Sequence, residues 1–150
     1  MLGTKSVSRS IVTHSIDEHR VREELAFMVQ QFQTLGHTHC EVLFGYAWGN
    51  DYYPTSNWDW KALELSQLVA ELERVEASEL GRLGADDLFV SFPSVGVEFR
   101  FCHESDLHIT YAVPNAVTEA FYHRWNTAGF APAEWENGEN GKPKTRLRVG

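Results

Sequence analysis

The sequence predicts an α+β fold, an antiparallel sheet of about five to seven strands with three helices packed mainly on one face. Three observations carry this. Three segments repeat apolar residues every three or four positions, which puts them on one side of a helix. Other segments alternate apolar and polar residues, as half-buried strands do. The turns between those strands are too short for a parallel crossover, which needs a dozen residues or more. The expected order is α-β-β-α-β-β-β-α-β-β, in a single domain covering residues 1–150.

Residues 1–14 carry little pattern and are expected to be loose or to add an edge strand. Ser15 and Glu18 read as a capping box opening the first helix. Its stripe is Val21, Leu25, Met28, Phe32 and Leu35, and Gly36 ends it. Phe27 falls outside that stripe and is expected at a second layer, such as the tail hairpin, or at a dimer or partner surface. Cys40 to Trp48 alternates with period two and predicts a strand. Gly49 to Asn57 is dense in turn residues, and Trp58 to Leu65 reads as a second strand. Ser66 is placed to cap a second helix that buries Leu68, Leu72 and Val75 and fades by Gly81 and Gly84. Asp87–Phe92, Val97–His103 and Leu107–Ala112 form three strands joined by Pro93–Gly96 and Glu104–Asp106. Pro114 and Asn115 start a third helix with Val117, Phe121, Trp125 and Ala128 inward and Gly129 as its stop. Two Asn-Gly pairs in the tail predict a hairpin joining Glu134–Glu136 to Thr145–Val149.

Charge narrows the function. Lys and Arg number 13 against 21 Asp and Glu, a formal net charge of −8. Nucleic acid and anionic membrane surfaces both attract concentrated Lys and Arg, so neither is expected as a partner. No segment is apolar enough to span a bilayer, and no signal-peptide core follows the polar N-terminus. Two cysteines, Cys40 and Cys102, are too few for a disulfide scaffold. Both are expected as free thiols in a reducing cytoplasm, with a bridge only if their strands are neighbours.

Four groups of residues could carry chemistry or binding. His37, His39 and Cys40, and separately Cys102, His103, Glu104, Asp106 and His108, offer metal ligands or acid–base groups near strand ends. Neither group has Cys-x-x-Cys or His-Glu-x-x-His spacing, and the chain lacks a phosphate loop and a nucleophile elbow. The expectation is therefore no cofactor, no metal and no catalytic residue. Asp51, Tyr52, Tyr53, Trp58, Asp59 and Trp60 combine rings and carboxylates in and beside a loop, where binding hot spots form. Glu73 and Glu76, with Glu79 further round, lie along one side of the second helix and could steer a cationic partner.

The acidic second helix, the aromatic segment Trp48–Trp60 and the block GRLGADDLFVSFPSVGVEFRFCHESDLHIT give the chain a type-level resemblance to the small acidic α+β immunity proteins of bacterial toxin–immunity systems. The resemblance implies an inhibitor that blocks a partner's active site or docking surface without catalysis. The expected partner is a basic toxin or effector, contacted through Asp51, Tyr52, Tyr53, Trp58, Asp59, Trp60, Glu73 and Glu76. A small hydrolase or metal-assisted enzyme built on His103, Glu104, Asp106 and His108 is the first alternative. A sensor holding a small molecule between sheet and helices is the second.

Overall fold

A computed structural model describes residues 8–44, 60–139 and 141–150, which form three helices and one eight-stranded antiparallel sheet. In chain order the elements are β1 (Arg9–Val12), α1 (Glu18–Thr34), β2 (His39–Phe44), β3 (Lys61–Glu64), α2 (Leu68–Ala77), β4 (Leu88–Phe92), β5 (Val97–Phe101), β6 (Leu107–Tyr111), α3 (Ala116–Thr127), β7 (Ala133–Asn137) and β8 (Pro143–Val149). The fold is α+β, with strands ordered β3-β2-β4-β5-β6-β1-β7-β8.

For the described part of residues 1–14, β1 corrects the expectation of a loose or edge segment; residues 1–7 lie outside the described residues. β1 pairs antiparallel with β6 on one side and β7 on the other, with Ile11 opposite both Ile109 and Glu134. Four residues are too few for a periodicity to show, and the slot between β6 and β7 is created by elements about a hundred residues away. Ile11 is fully buried there, and even Ser10 is nearly so. Among the described residues the sheet's edges are β3 and β8. β3 is short and begins with Lys61, and β8 carries Pro143, Lys144, Arg146 and Arg148, features that discourage pairing with another chain.

Both helix starts before the third differ from the expected caps. Asp17, not Ser15, is the N-cap of α1, accepting the Arg20 N–H at 2.9 Å. Ser66 falls within a 3₁₀ turn, Leu65–Gln67, which leads into α2 without a side-chain cap. α3 opens as expected at Asn115, whose side chain exchanges hydrogen bonds with Thr118 in a capping box. At the end of α1, Gly36 takes a left-handed conformation, and the Gly36 and His37 N–H groups bond back to Gln33 and Phe32. α2 stops at Ala77, where Glu79 takes that conformation without being glycine. Leu35 and Ala128, expected in buried stripes, are exposed because each is a C-cap residue. Tyr122 and Thr118 are buried in α3 instead.

The core lies between the helices and one face of the sheet. Phe32 of α1 stacks on Phe92 with ring centroids 3.7 Å apart and meets Phe99 edge-on. Phe121 of α3 meets Phe99 at 4.9 Å and Trp125 at 5.7 Å. Phe27 is half-buried against α3, 5.5 Å from Phe121 and beneath the Arg124 guanidinium, so the second layer it meets is α3 and not the tail hairpin. Glu134 is buried among the apolar groups, where it accepts the Tyr111 hydroxyl and pairs with Arg148 at 3.4 Å. Cys40, on β2, and Cys102, just past the end of β5, are buried free thiols whose side chains point to opposite faces of the sheet, so no bridge joins them.

Candidate functional site

The second face of the sheet follows from strand alternation. Val90, Phe99 and Ile109 are register partners that point into the core, so their neighbours Phe89, Arg100 and His108 point the other way. These three lie in one cross-strand row that begins at Leu43 of β2. All four are half-buried. The Arg100 guanidinium sits 5.4 Å from the centre of the Phe89 ring, and Trp60 approaches the same ring edge-on at 6.4 Å. Trp60 itself is 38% exposed. One row over, burial pushes the Glu98 carboxyl above the usual carboxylate range, although Arg100 acts against it.

The row continues through Val12 of β1, and the turn between β5 and β6 lies beside it. Phe101 pairs with Leu107, and the Cys102 N–H bonds to the Asp106 carbonyl at 3.0 Å. Cys102 and Asp106 therefore face each other across His103-Glu104-Ser105. Alternation sends both side chains to the second face, with Arg100 and His108 beside them. The turn is tied down from outside: Ser105 Oγ donates to the Gly84 carbonyl at 2.9 Å, and the Ile16 N–H donates to the Ser105 carbonyl at 2.9 Å. Ser105 also has a positive φ of 60°.

Two aspartate–histidine pairs flank the Cys102 thiol. His108 Nε2 is 2.6 Å from Asp106 Oδ2, and His103 Nδ1 is 2.9 Å from Asp87 Oδ1. Burial works to raise the Asp106 carboxyl, but hydrogen bonds from His108 and Cys102 prevail and hold it at about 2. Asp87 is likewise pulled below its usual value against its burial, by His103 and Arg100. The His103 imidazole is raised by its hydrogen bond to Asp87. Burial pushes the Cys102 thiol up to about 12.

That environment argues against thiolate nucleophilic catalysis, which needs a lowered thiol pKa. The geometry argues the same way. Cys102 Sγ and Asp87 Oδ1 both approach Nδ1 of His103, at 3.6 and 2.9 Å. A relay needs its nucleophile and its orienting acid on different ring nitrogens.

The expected site residues fare differently. Asp51, Tyr52, Tyr53, Trp58 and Asp59 lie outside the described residues, as does Trp48. Trp60 is on the second face. Glu73 is exposed on α2. Glu76 faces inward instead: it holds the Arg22 guanidinium and accepts the Leu83 N–H at 3.0 Å. Glu71 takes Arg74 and Lys61 in the same way. His103, Asp106 and His108 gather around Cys102, whereas Glu104 sits at the tip of the turn, largely exposed, and reaches only His103, at 3.9 Å. Alternation from His108 back to Glu104 is broken by the turn itself. Cys102 and Asp87 complete the cluster. The signal for Cys102 was a four-residue spacing to Asp106 across a tight turn; Asp87 reaches the turn only through pairing of β4 with β5.

His37, His39 and Cys40 do not converge. Cys40 points into the core, His37 packs against Phe32 and Phe92, and His39 bonds to Thr38 Oγ1 at 2.8 Å. A groove of about 450 Å³ opens beside these residues, between the end of α1 and the start of α2, with Gln33, Thr38, Glu64 and Ser66 in its wall. It lies at the surface, not between sheet and helices as a sensor pocket was expected to.

Glu76 yields a test at acid pH. Its carboxyl sits below the usual 4.5 because hydrogen bonds from Arg22 and Leu83 outweigh the burial that would raise it. A depressed folded-state pKa gives stability that is complete above the unfolded value, about 4.3, and lost as pH falls through the folded value. Glu76→Gln is expected to cost about 1–3 kcal/mol at pH 7. In urea titrations the gap from the parent protein should close below pH 4; a gap independent of pH would contradict this pairing.

Comparison with protein-family models, curated proteins and solved structures finds no match to this chain. Among the described residues, no helix is long and apolar enough to cross a membrane.

Proposed function

We propose that this protein is a binding module for a basic protein, of the immunity-inhibitor type, and that it engages its partner along the β3 edge of the sheet. The observation that carries the reading is Trp60. A tryptophan 38% exposed, backed edge-on by Phe89, offers a large rigid contact area with little ordering cost. It adjoins the segment bearing Tyr52, Tyr53 and Trp58, the other rings expected at the contact. The net charge of −8 supplies long-range attraction for a cationic partner. Glu73 remains available on α2 for that purpose, whereas Glu76 is assigned to holding α1 and α2 together.

The test is co-expression with the protein encoded by the adjacent gene, if that product is basic and toxic. The complex should associate more slowly as salt rises, and Trp60→Ala should weaken it by roughly 2 kcal/mol or more, the scale of a hot-spot residue. Absence of both protection and complex formation would overturn the reading. Retained affinity in Trp60→Ala would remove Trp60 from it.

A further inference from the structure

We propose that Cys102, Asp106 and His108 form a binding site for one divalent transition-metal ion of the zinc class. One ligand atom from each residue lies within 4.8 Å of the other two. Zinc bonds of about 2.0–2.3 Å arranged tetrahedrally place ligand atoms about 3.3–3.6 Å apart. The three side chains thus need shifts of roughly 1 Å, opening the His108–Asp106 contact, to enclose an ion of that size. This reading does not depend on the partner-binding one.

The backbone presets the arrangement. Cys102 and Asp106 are opposed across the turn, and His108 lies two residues beyond Asp106 on the same face. Three protein ligands leave a fourth position for water. A thiolate with an imidazole selects zinc, cobalt or similar ions over magnesium and calcium, which prefer all-oxygen sites. One thiolate, one carboxylate and a neutral imidazole also balance a dication, which suits a site where Cys102 is only 4% exposed.

A second observation points to the same place. His108 meets Asp106 at Oδ2, whereas Oδ1 is buried and takes no N–H or O–H donor, with only the weakly donating Cys102 thiol beside the carboxylate. A buried carboxylate oxygen left this way is costly unless something positive or hydrogen-bonding completes it. An ion between Cys102 and His108 would do so. Asp87, Cys102 and His103 also approach one another, but there the carboxylate is satisfied. Asp87 Oδ1 takes the His103 N–H and Nδ1, and Oδ2 takes Arg100 at 3.1 Å. An ion there would have to displace a guanidinium. Left in place, the Asp87–Arg100 pair neutralises the cation that stands beside the proposed site.

The experiment uses the full chain without an affinity tag, stripped with chelator, and adds Co²⁺ or Zn²⁺ alone. The expected result is one Co²⁺ per chain with a thiolate-to-cobalt charge-transfer band in the near ultraviolet, displaced by Zn²⁺. Cys102→Ser should abolish the band. His108→Ala and Asp106→Asn should each weaken Zn²⁺ binding tenfold or more. Cys40→Ser and His103→Ala should leave band and affinity unchanged. His108 is partly exposed on the second face, so His108→Ala decides the matter should Cys102→Ser fail to fold. The assignment is overturned if the folded protein binds neither ion, if the band survives Cys102→Ser, or if His103→Ala removes binding that His108→Ala leaves intact.

Discussion

Replacing Glu24 with alanine is expected to destabilise the protein by about 3–5 kcal/mol, combining a stranded buried indole N–H, about 1–3 kcal/mol, with lost charge-assisted hydrogen bonds to a partly exposed arginine, about 1.5–3 kcal/mol. Glu24 lies on α1 with only 4% of its surface exposed. Its Oε1 accepts Arg124 Nε at 2.9 Å and the Trp125 indole N–H at 2.8 Å, while Oε2 accepts Arg124 Nη2 at 2.8 Å. One carboxylate therefore fastens α1 to α3 through two consecutive residues. Its loss would strand the indole N–H of Trp125, which is 1% exposed, and leave Arg124 with its 3.6 Å approach to the Phe27 ring and the charge of Glu23. Glu24→Gln keeps an acceptor for the indole and should cost clearly less. A double-mutant cycle with Arg124→Met should show coupling of about 1–3 kcal/mol. Guanidinium unfolding at pH 7 measures all three, and a loss below 1 kcal/mol in Glu24→Ala would refute the fastening role.

Phe32→Ala is the other large expected loss, again about 3–5 kcal/mol, from lost burial plus the cavity left behind. Phe32 is fully buried and touches rings from two strands, Phe92 at 3.7 Å and Phe99 at 5.8 Å. Phe99 in turn meets Phe121, which meets Phe27 and Trp125. Phe32 is thus the point where α1 joins the ring cluster that also anchors α3. Truncation cannot be filled by neighbours held in that cluster. Phe32→Leu keeps most of the volume and should cost under about 1.5 kcal/mol. Calorimetric unfolding separates the cases; similar melting temperatures for Phe32→Ala and Phe32→Leu would show that the site collapses around the gap.

Several features were legible locally because they depend on residues close in the chain. The two hairpins from β4 to β6 follow from short turns, and their strands begin and end within two residues of expectation. The tail hairpin was legible from its Asn-Gly pairs, and the predicted stripe of α2 is the one buried. The first cap was not, since Ser15 and Asp17 both suit an N-cap and only the path of the chain into α1 selects between them. Glu76 reads from sequence as an acid facing a partner, and Glu24 falls outside the apolar stripe of the first helix. Their burial depends on Arg124 and Arg22, which approach only once helices pack.

The candidate metal site divides in the same way. Cys102, Asp106 and His108 are visible as neighbours in sequence, and a tight turn suffices to place them on one face. Their separation from Glu104, the contribution of Asp87 and the unpaired Asp106 oxygen emerge only when β4 aligns with β5 and the turn is locked by Ile16 and Gly84.

The sequence by itself determined the α+β class, the helices, the hairpins and the negative charge, because periodicity, turn chemistry and ionisation are properties of short segments. Tertiary structure alone decided that β1 lies inside the sheet, that Phe27 and Glu24 bind α1 to α3, and which acids pair with arginines and which stay exposed. Those outcomes depend on groups as much as a hundred residues apart meeting where water is excluded, and no local pattern encodes which distant group will fill a given place.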